Sequence, residues 1–552
     1  MQLIKDRICS ETTVREWNMD GLKVSKFRMY LPQILATTAK NLLVIDIGLT
    51  TTFPTIAIPP LLGTVDVQEE EIFHFTPEEA SWFGSLAFIC TPIGSVFSGW
   101  VTETIGRKNA MILVNLPHIA AWLLIYFATS VSEMYLAAIL LGLGTGFMNS
   151  PIFTYVGEIC QPAIRGILTS CAGVAATLGF FIGYLLGSLV TWRESALICL
   201  TIPLISIIAI GFIPESPIWL LSRGRDKEAR KSLQWLRGWV CPEAVEKEFL
   251  ELQRYSINST RCNPCQKSDQ ICNHPPPTFS DNMKELIRKR TLKPIFIVAM
   301  FFLFSQFSGT SSMRPYLVQI FKAYGIPVDP NWATVVTALL KFLATIVCAT
   351  VVKMMGKRLL SLISVAGTAF CSIAIGSYAN IVLPAGWSSF EKHTEVPGDG
   401  IFPMVIFFTL SFIMSLGLSP VSWMLLSELF PFKARATSAG LVAALYYLFI
   451  FISTKTYLDL ERGLGLDGAN WLYGVVAILG FLFFYFFLPE TENRSLEDIE
   501  IHFSTQKLTN INIQSKSCGD SSIAESRQDQ TSSSSVENGS SGCENNGFTD
   551  KY

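Results

Sequence analysis

The chain has 552 residues, 50% of them hydrophobic and only 16% charged, with a formal net charge of −2 and a mean hydropathy of +0.40. No soluble globular chain of this length has to bury so much apolar surface, and a charge so near zero gives no field for nucleic acid or a strongly charged partner. With 39 Phe against 42 Lys and Arg, the pattern is that of side chains facing lipid.

Residues 1–32 are polar and lack an apolar h-region, so no cleavable leader is expected, and they read as a cytoplasmic N-terminal segment. A helix that crosses a bilayer needs about 20 apolar residues. Twelve such runs follow, at 34–62, 82–102, 110–129, 133–156, 167–190, 195–213, 293–314, 332–353, 359–379, 401–426, 437–457 and 470–488. The expected fold is an all-α membrane protein of twelve transmembrane helices in two pseudo-symmetric six-helix bundles, over 33–213 and 293–490. A hydrophilic connection, 214–292, separates them and holds amphipathic helices at about 226–255 and 281–290. Residues 491–503 read as a cytoplasmic helix. The stretch 504–552, rich in Ser, Asn, Gln and Gly, cannot bury a core and is expected to be a disordered cytoplasmic tail.

Basic residues orient this bundle. With both termini inside, Arg193, Lys322, Lys392 and Arg462 face outward and Arg314, Lys341 and Lys455 lie within spans; that leaves 35 of the 42 on the cytoplasmic side, with Lys40, near the start of the first run, counted among the seven of the N-terminal segment. The sequons at Asn258, Asn493 and Asn538 then face the cytoplasm and stay unmodified. The 13 cysteines form no disulfide framework. Cys262, Cys265, Cys272 and His274 have metal-ligand types, but their spacing matches no zinc module, so no metal and no cofactor is assigned.

The chain repeats a charged set. Glu103, Gly106, Arg107 and Lys108, then Glu158 with Arg165 seven residues on, then Glu215, occupy the first half. Gly356, Lys357 and Arg358, then Glu428 with Arg435 seven residues on, then Glu490, follow in the same order in the second. Each set falls at the ends of apolar runs. A duplicated bundle with charged latches on one face is the build of an alternating-access transporter. The second copy is less complete: Lys353 stands where the first copy has Glu103, so its latch is expected to be weaker.

The chain resembles the sugar porters of the major facilitator superfamily. Trp192-Arg193, Pro214-Glu-Ser-Pro217, Gln306-Phe-Ser-Gly309, Trp423-Met-Leu-Leu-Ser-Glu-Leu-Phe-Pro431 and the run from Pro489 to Ile499 match its signatures in order and spacing, over about 33–503. The stretches Pro214–Gly238 and Ser427–Gly440 are most similar to insect facilitated trehalose transporters. The resemblance implies a plasma-membrane carrier of trehalose or a hexose-like sugar, working by alternating access as a monomer, with the central connection forming an intracellular helical bundle. Lipid and a small solute are its only implied partners, and no enzyme motif is present. Glu103, Gly106, Arg107, Lys108, Glu158, Arg165, Glu215, Glu428, Arg435 and Glu490 would gate it. Gln306, Ser305, Ser311, Trp423, Tyr446 and Tyr447 would hold the solute.

The pocket departs from that family's pattern. A second Gln and an Asn of its span-7 run are here Ser305 and Ser311. The span-5 Gln position falls at Gly173, and the span-11 Asn position at Tyr446. Ala138 and Ile218 replace arginines common in the family. The chain keeps aromatic platforms and loses amides, while Asp46, Arg314 and Lys341 place charge inside spans, where it is costly and usually functional. The alternative expectation is therefore a carrier of a charged, non-sugar organic solute, with a proton on Asp46, or a transporter-like nutrient sensor.

Overall fold

The computed structural model describes residues 26–63, 71–260, 289–384, 387–390, 400–430 and 435–492. The Cys262, Cys265, Cys272 and His274 set, residues 281–288 of the second amphipathic helix and the segment 493–552 lie outside them. The regular structure of the described residues is helical, with no strand among them. Eleven helices are long and apolar enough to cross a membrane: Phe27–Leu61, Pro77–Ile105, Arg107–Phe127, Val131–Ile159, Ala163–Leu189, Trp192–Phe212, Pro330–Met355, Lys357–Val382, Ile401–Leu426, Ser438–Lys455 and Tyr457–Phe487. A twelfth crossing is a bent pair, Thr291–Gln306 with Thr310–Ala323, at 50°. In chain order these are spans 1 to 12, the bent pair being span 7.

The spans run longer than their apolar runs because polar residues begin and end them. Thr76 and Thr191 cap spans 2 and 6, each accepting from the backbone N–H of a Glu three residues on, whose carboxylate returns to the cap. Span 1 starts some seven residues before the expected 34 and takes in Lys40, which is buried rather than part of the basic N-terminal segment. Large apolar side chains such as Val96, Phe212, Met354 and Ile381 point outward, as a lipid-facing surface requires. Inside, glycines allow close helix approach. A Cβ on Gly94 would sit 2.3 Å from the Leu143 carbonyl, and one on Gly179 2.3 Å from that of Ile45, joining span 2 to span 4 and span 1 to span 5.

The first amphipathic segment is three helices, Pro217–Ser222, Asp226–Leu236 and Pro242–Thr260, around Trp219, Leu233, Val245 and Phe249. Gly238, at φ 97°, closes against the Arg28 carbonyl at the start of span 1 and breaks the expected single helix. Between spans 9 and 10, Trp387 donates to the Ala323 carbonyl at 2.9 Å. Ser388 and Ser389 donate to the buried Glu461 of span 12, Ser389 through its N–H at 2.5 Å and its hydroxyl at 2.8 Å. The described part of that loop is thus strapped onto the bundle.

Candidate functional site

The charged motifs form two equivalent networks at one end of the molecule. In the first, Arg107 reaches Glu103 at 2.8 Å and Glu158 at 2.9 Å. The second oxygen of Glu158 accepts from the Ser216 hydroxyl. Glu215 accepts the backbone N–H groups of Arg107 and Lys108, both within 3.1 Å, and so caps the start of span 3, where the helix dipole favours an anion. Burial pushes the Glu215 carboxyl above its ordinary range, opposed by these N–H bonds and by Arg107.

The second network repeats each role. Lys357 binds Glu428 at 2.9 Å, Thr491 donates to Glu428 at 3.1 Å, and Glu490 accepts from the N–H groups of Lys357 and Arg358 at 3.1 and 3.0 Å. The carboxylate missing at Lys353 is supplied by Glu492, 2.5 Å from the Lys357 ammonium. The expectation of a weaker second latch is corrected on this point: both networks hold a cation between two acids. Sequence reasoning missed Glu492 because it compared positions upstream of the glycine, whereas this acid arrives from the far end of span 12.

Both networks lie within a bundle. Arg165, expected beside Glu158, is exposed and donates to the Cys160 carbonyl at 3.2 Å instead. Arg435 opens span 11, and its side chain lies outside the described residues. The described cross-bundle contacts sit away from the motif end. Arg462 pairs with Glu78 at 2.8 Å, Lys455 donates to Ser81 at 3.2 Å beneath Trp82, and Thr55 donates to the Arg314 carbonyl at 2.7 Å. The contact nearest the motifs is Phe153 stacked on Trp423 at 6.1 Å, about a turn and a half short of Glu158 and Glu428. Beyond that stack, Arg165 and Thr169 are exposed at the motif end.

The candidate binding residues gather where span 7 breaks. Gly309 takes φ 102°, and a Cβ there would meet the Tyr473 ring at 2.8 Å, so glycine alone fits the bend. Ser305 and Gln306 end the first half-helix, and Ser311 begins the second. Phe302 joins them to an aromatic wall, with Trp423 at 5.4 Å and Tyr446 at 4.8 Å; Tyr446 lies 4.9 Å from Trp423 and 5.0 Å from Tyr447. The Tyr447 hydroxyl donates to Asn149 of span 4 at 3.5 Å. The Gln306 carbonyl oxygen is buried without a partner. Gly173 meets only Thr345 within 4 Å, so the absent span-5 amide leaves space.

The three intramembrane charges separate into two environments. Asp46 is fully buried, 2.5 Å from His118 Nδ1 and accepting from the Trp122 indole at 3.2 Å, rather than bonding to Thr50 or the backbone. His118 and Trp122 were not legible as partners, because one His in an apolar run reads as core. Arg314 and Lys341 have no such arrangement. Arg314 lies 5.4 Å over Phe180, donates to Ser311 at 3.4 Å and keeps a buried, unpartnered Nε. Lys341 is 8% exposed, on span 8 between Ala338, which clusters with Tyr184 and Phe180 of span 5, and Thr345, which meets Gly173. A separate cavity of about 660 Å³, lined by Lys108, Trp219, Lys231, Trp235 and Trp239, lies at the connecting helices, away from this constellation.

Comparison with known proteins agrees with this build. The sugar (and other) transporter family matches residues 64–503. A facilitated trehalose transporter Tret1 of Apis mellifera ligustica is 31% identical over 475 residues, covering 86% of this chain and 89% of that one. Its namesake in Bombyx mori is 28% identical over 518 residues, covering 93% and 95%. Among solved structures, the proton:xylose symporter XylE bound to 6-bromo-6-deoxy-D-glucose superposes with a TM-score of 0.65 at 20% identity, over 86% of this chain and 100% of that one. A partially occluded inward open XylE from E. coli gives 0.64 at 19% identity, over 84% and 99%. These two likenesses bear on the fold, which is that of the major facilitator superfamily.

Proposed function

This chain belongs to the sugar transporter family of the major facilitator superfamily, and from that premise we propose that it carries trehalose or a hexose-like sugar down its gradient across the plasma membrane, both termini cytoplasmic. The carrying observation is the break in span 7. It sets Ser305, Gln306 and Ser311 beside the Trp423, Tyr446 and Tyr447 wall, between the two bundles. Half-helices at a midplane bend give polar groups to a solute, and an aromatic face covers its apolar ring surface. The trehalose reading draws on the names of the insect relatives. Counterflow in liposomes holding the full chain, with labelled trehalose and glucose, tests it. Gln306→Ala is expected to raise the half-saturation concentration about tenfold, the cost of one buried amide contact. No counterflow of either sugar would overturn the reading.

In this scheme helices 1–6 rock against 7–12 as rigid bodies, each braced by its own charged network. Arg165 and Arg435 engage acids across the seam when the cytoplasmic end closes. On this reading the arrangement in which Arg165 is exposed is a state open to the cytoplasm. Arg165→Ala is therefore expected to leave this state intact and slow exchange several-fold by weakening the opposite one. Unchanged exchange at equal surface abundance would remove Arg165 from the gate.

A further inference from the structure

We propose that the site at the span-7 break prefers a sugar carrying an acceptor-only anionic group, a carboxylate or a phosphate ester, held against Arg314 and Lys341. The inference rests on reading that break as the transport site and names the chemistry of its cargo.

Span 8 packs on span 5, with Thr345 against Gly173 and with Val335 and Ala338 clustered with Tyr184 and Phe180, which sets Lys341 at the level of the Phe180 ring that Arg314 covers; among the described residues no carboxylate forms an ion pair with either cation. The Arg314 backbone is pinned by Thr55, and its ring contact with Phe180 of span 5 holds the guanidinium at the seam. Among the described residues one long bond, to Ser311 at 3.4 Å, uses its donors, and its Nε is buried without a partner. The buried acids among the described residues are committed elsewhere. Asp46 faces His118 and Trp122, and Glu461 holds Ser388 and Ser389.

The chemistry of the exchange is directional. An amide both donates and accepts, which suits a hydroxyl that does the same. This chain lacks amides at Gly173, Ser305, Ser311 and Tyr446 and has two cations that only donate. Guanidinium and ammonium groups satisfy a neutral hydroxyl poorly, because its proton finds no acceptor and their charge stays uncancelled. A carboxylate or phosphate oxygen accepts from both, in a forked arrangement at the guanidinium. The aromatic wall and Gln306 remain for the sugar ring.

Full-length protein in liposomes, assayed by counterflow with labelled glucuronate, glucose 6-phosphate, glucose and trehalose, decides this. At least one anionic sugar is expected to be carried, and to compete with labelled glucose at about tenfold lower concentration than unlabelled glucose does. The two anions separate a carboxylate cargo from a phosphate one. Lys341→Gln and Arg314→Gln are each expected to lower the anion-to-glucose preference ratio by about tenfold. Because the ratio is internal to each sample, reduced yield of a variant does not mimic the effect. Transport of glucose or trehalose with neither anion carried nor competing overturns the inference and leaves the carrier reading standing. No solute carried overturns both.

Discussion

Replacing His118 with Ala is expected to destabilise the protein by about 1–3 kcal/mol, the cost of leaving a buried polar group without its partner. Asp46, His118 and Trp122 are fully buried, and Gly144 of span 4 leaves the room His118 fills: a Cβ there would come within 2.3 Å of the imidazole. Losing the imidazole leaves the Asp46 carboxylate with a single indole donor at 3.2 Å. Asp46→Asn is gentler, since the amide oxygen still accepts from Trp122. Thermal melting in detergent is expected to rank the variants wild type, then Asp46→Asn, then His118→Ala, and the double variant Asp46→Leu with His118→Leu is expected to recover most of the loss. The same variants separate a structural pin from a proton carrier. With a pin, the ratio of transport at pH 6 to that at pH 8 is the same in Asp46→Asn as in wild type. A ratio collapsing to one would make Asp46 the coupling acid instead.

The spans and their grouping were legible because lipid leaves no choice: about 20 consecutive apolar residues read the same way in any context. The family was legible because its motifs sit at helix ends, where turn and capping chemistry fix residue type at each position. Partnerships were less so. Glu428 and Arg435 stand seven apart like Glu158 and Arg165, which suggested that each acid pairs with its nearby Arg. Glu158 instead binds Arg107 and Glu428 binds Lys357, each on the neighbouring span, while the Arg435 side chain lies outside the described residues. Glu492 for Lys353, and His118 for Asp46, were hidden for the same reason, since a contact between spans carries no periodicity along the chain. Lys40 was misplaced because a lone cation near the start of an apolar run looks like a flanking charge. The break in span 7 was invisible in an apolar run whose Gly309 could equally have been a packing glycine.

At the end of span 2, Gly106→Ala is expected to abolish transport, and Gly99→Ala, two turns earlier in the same helix, to be tolerated. Gly106 sits at φ 97° and ψ 164°, a region open only to glycine, where any other residue costs roughly 1–3 kcal/mol. A Cβ there would also lie 2.4 Å from a Glu215 oxygen, and moving that carboxylate takes away the acceptor of three backbone N–H groups, those of Arg107, Lys108 and Ser216. The backbone strain and the lost cap fall on one turn, and 1.4 kcal/mol is already a tenfold change in an equilibrium. Gly356, at φ 79° and ψ 159° with a Cβ position 2.5 Å from Glu490, predicts the same for Gly356→Ala in the other bundle. Gly99 is helical and has open space around it, so an added methyl meets nothing and favours the helix by up to about 1 kcal/mol. Counterflow of each variant at matched surface abundance checks this. If the two halves rock as braced bodies, Gly106 and Gly356 are comparably intolerant, because each anchors its own network. A tolerant Gly356 would mean that only the first bundle needs its brace to move.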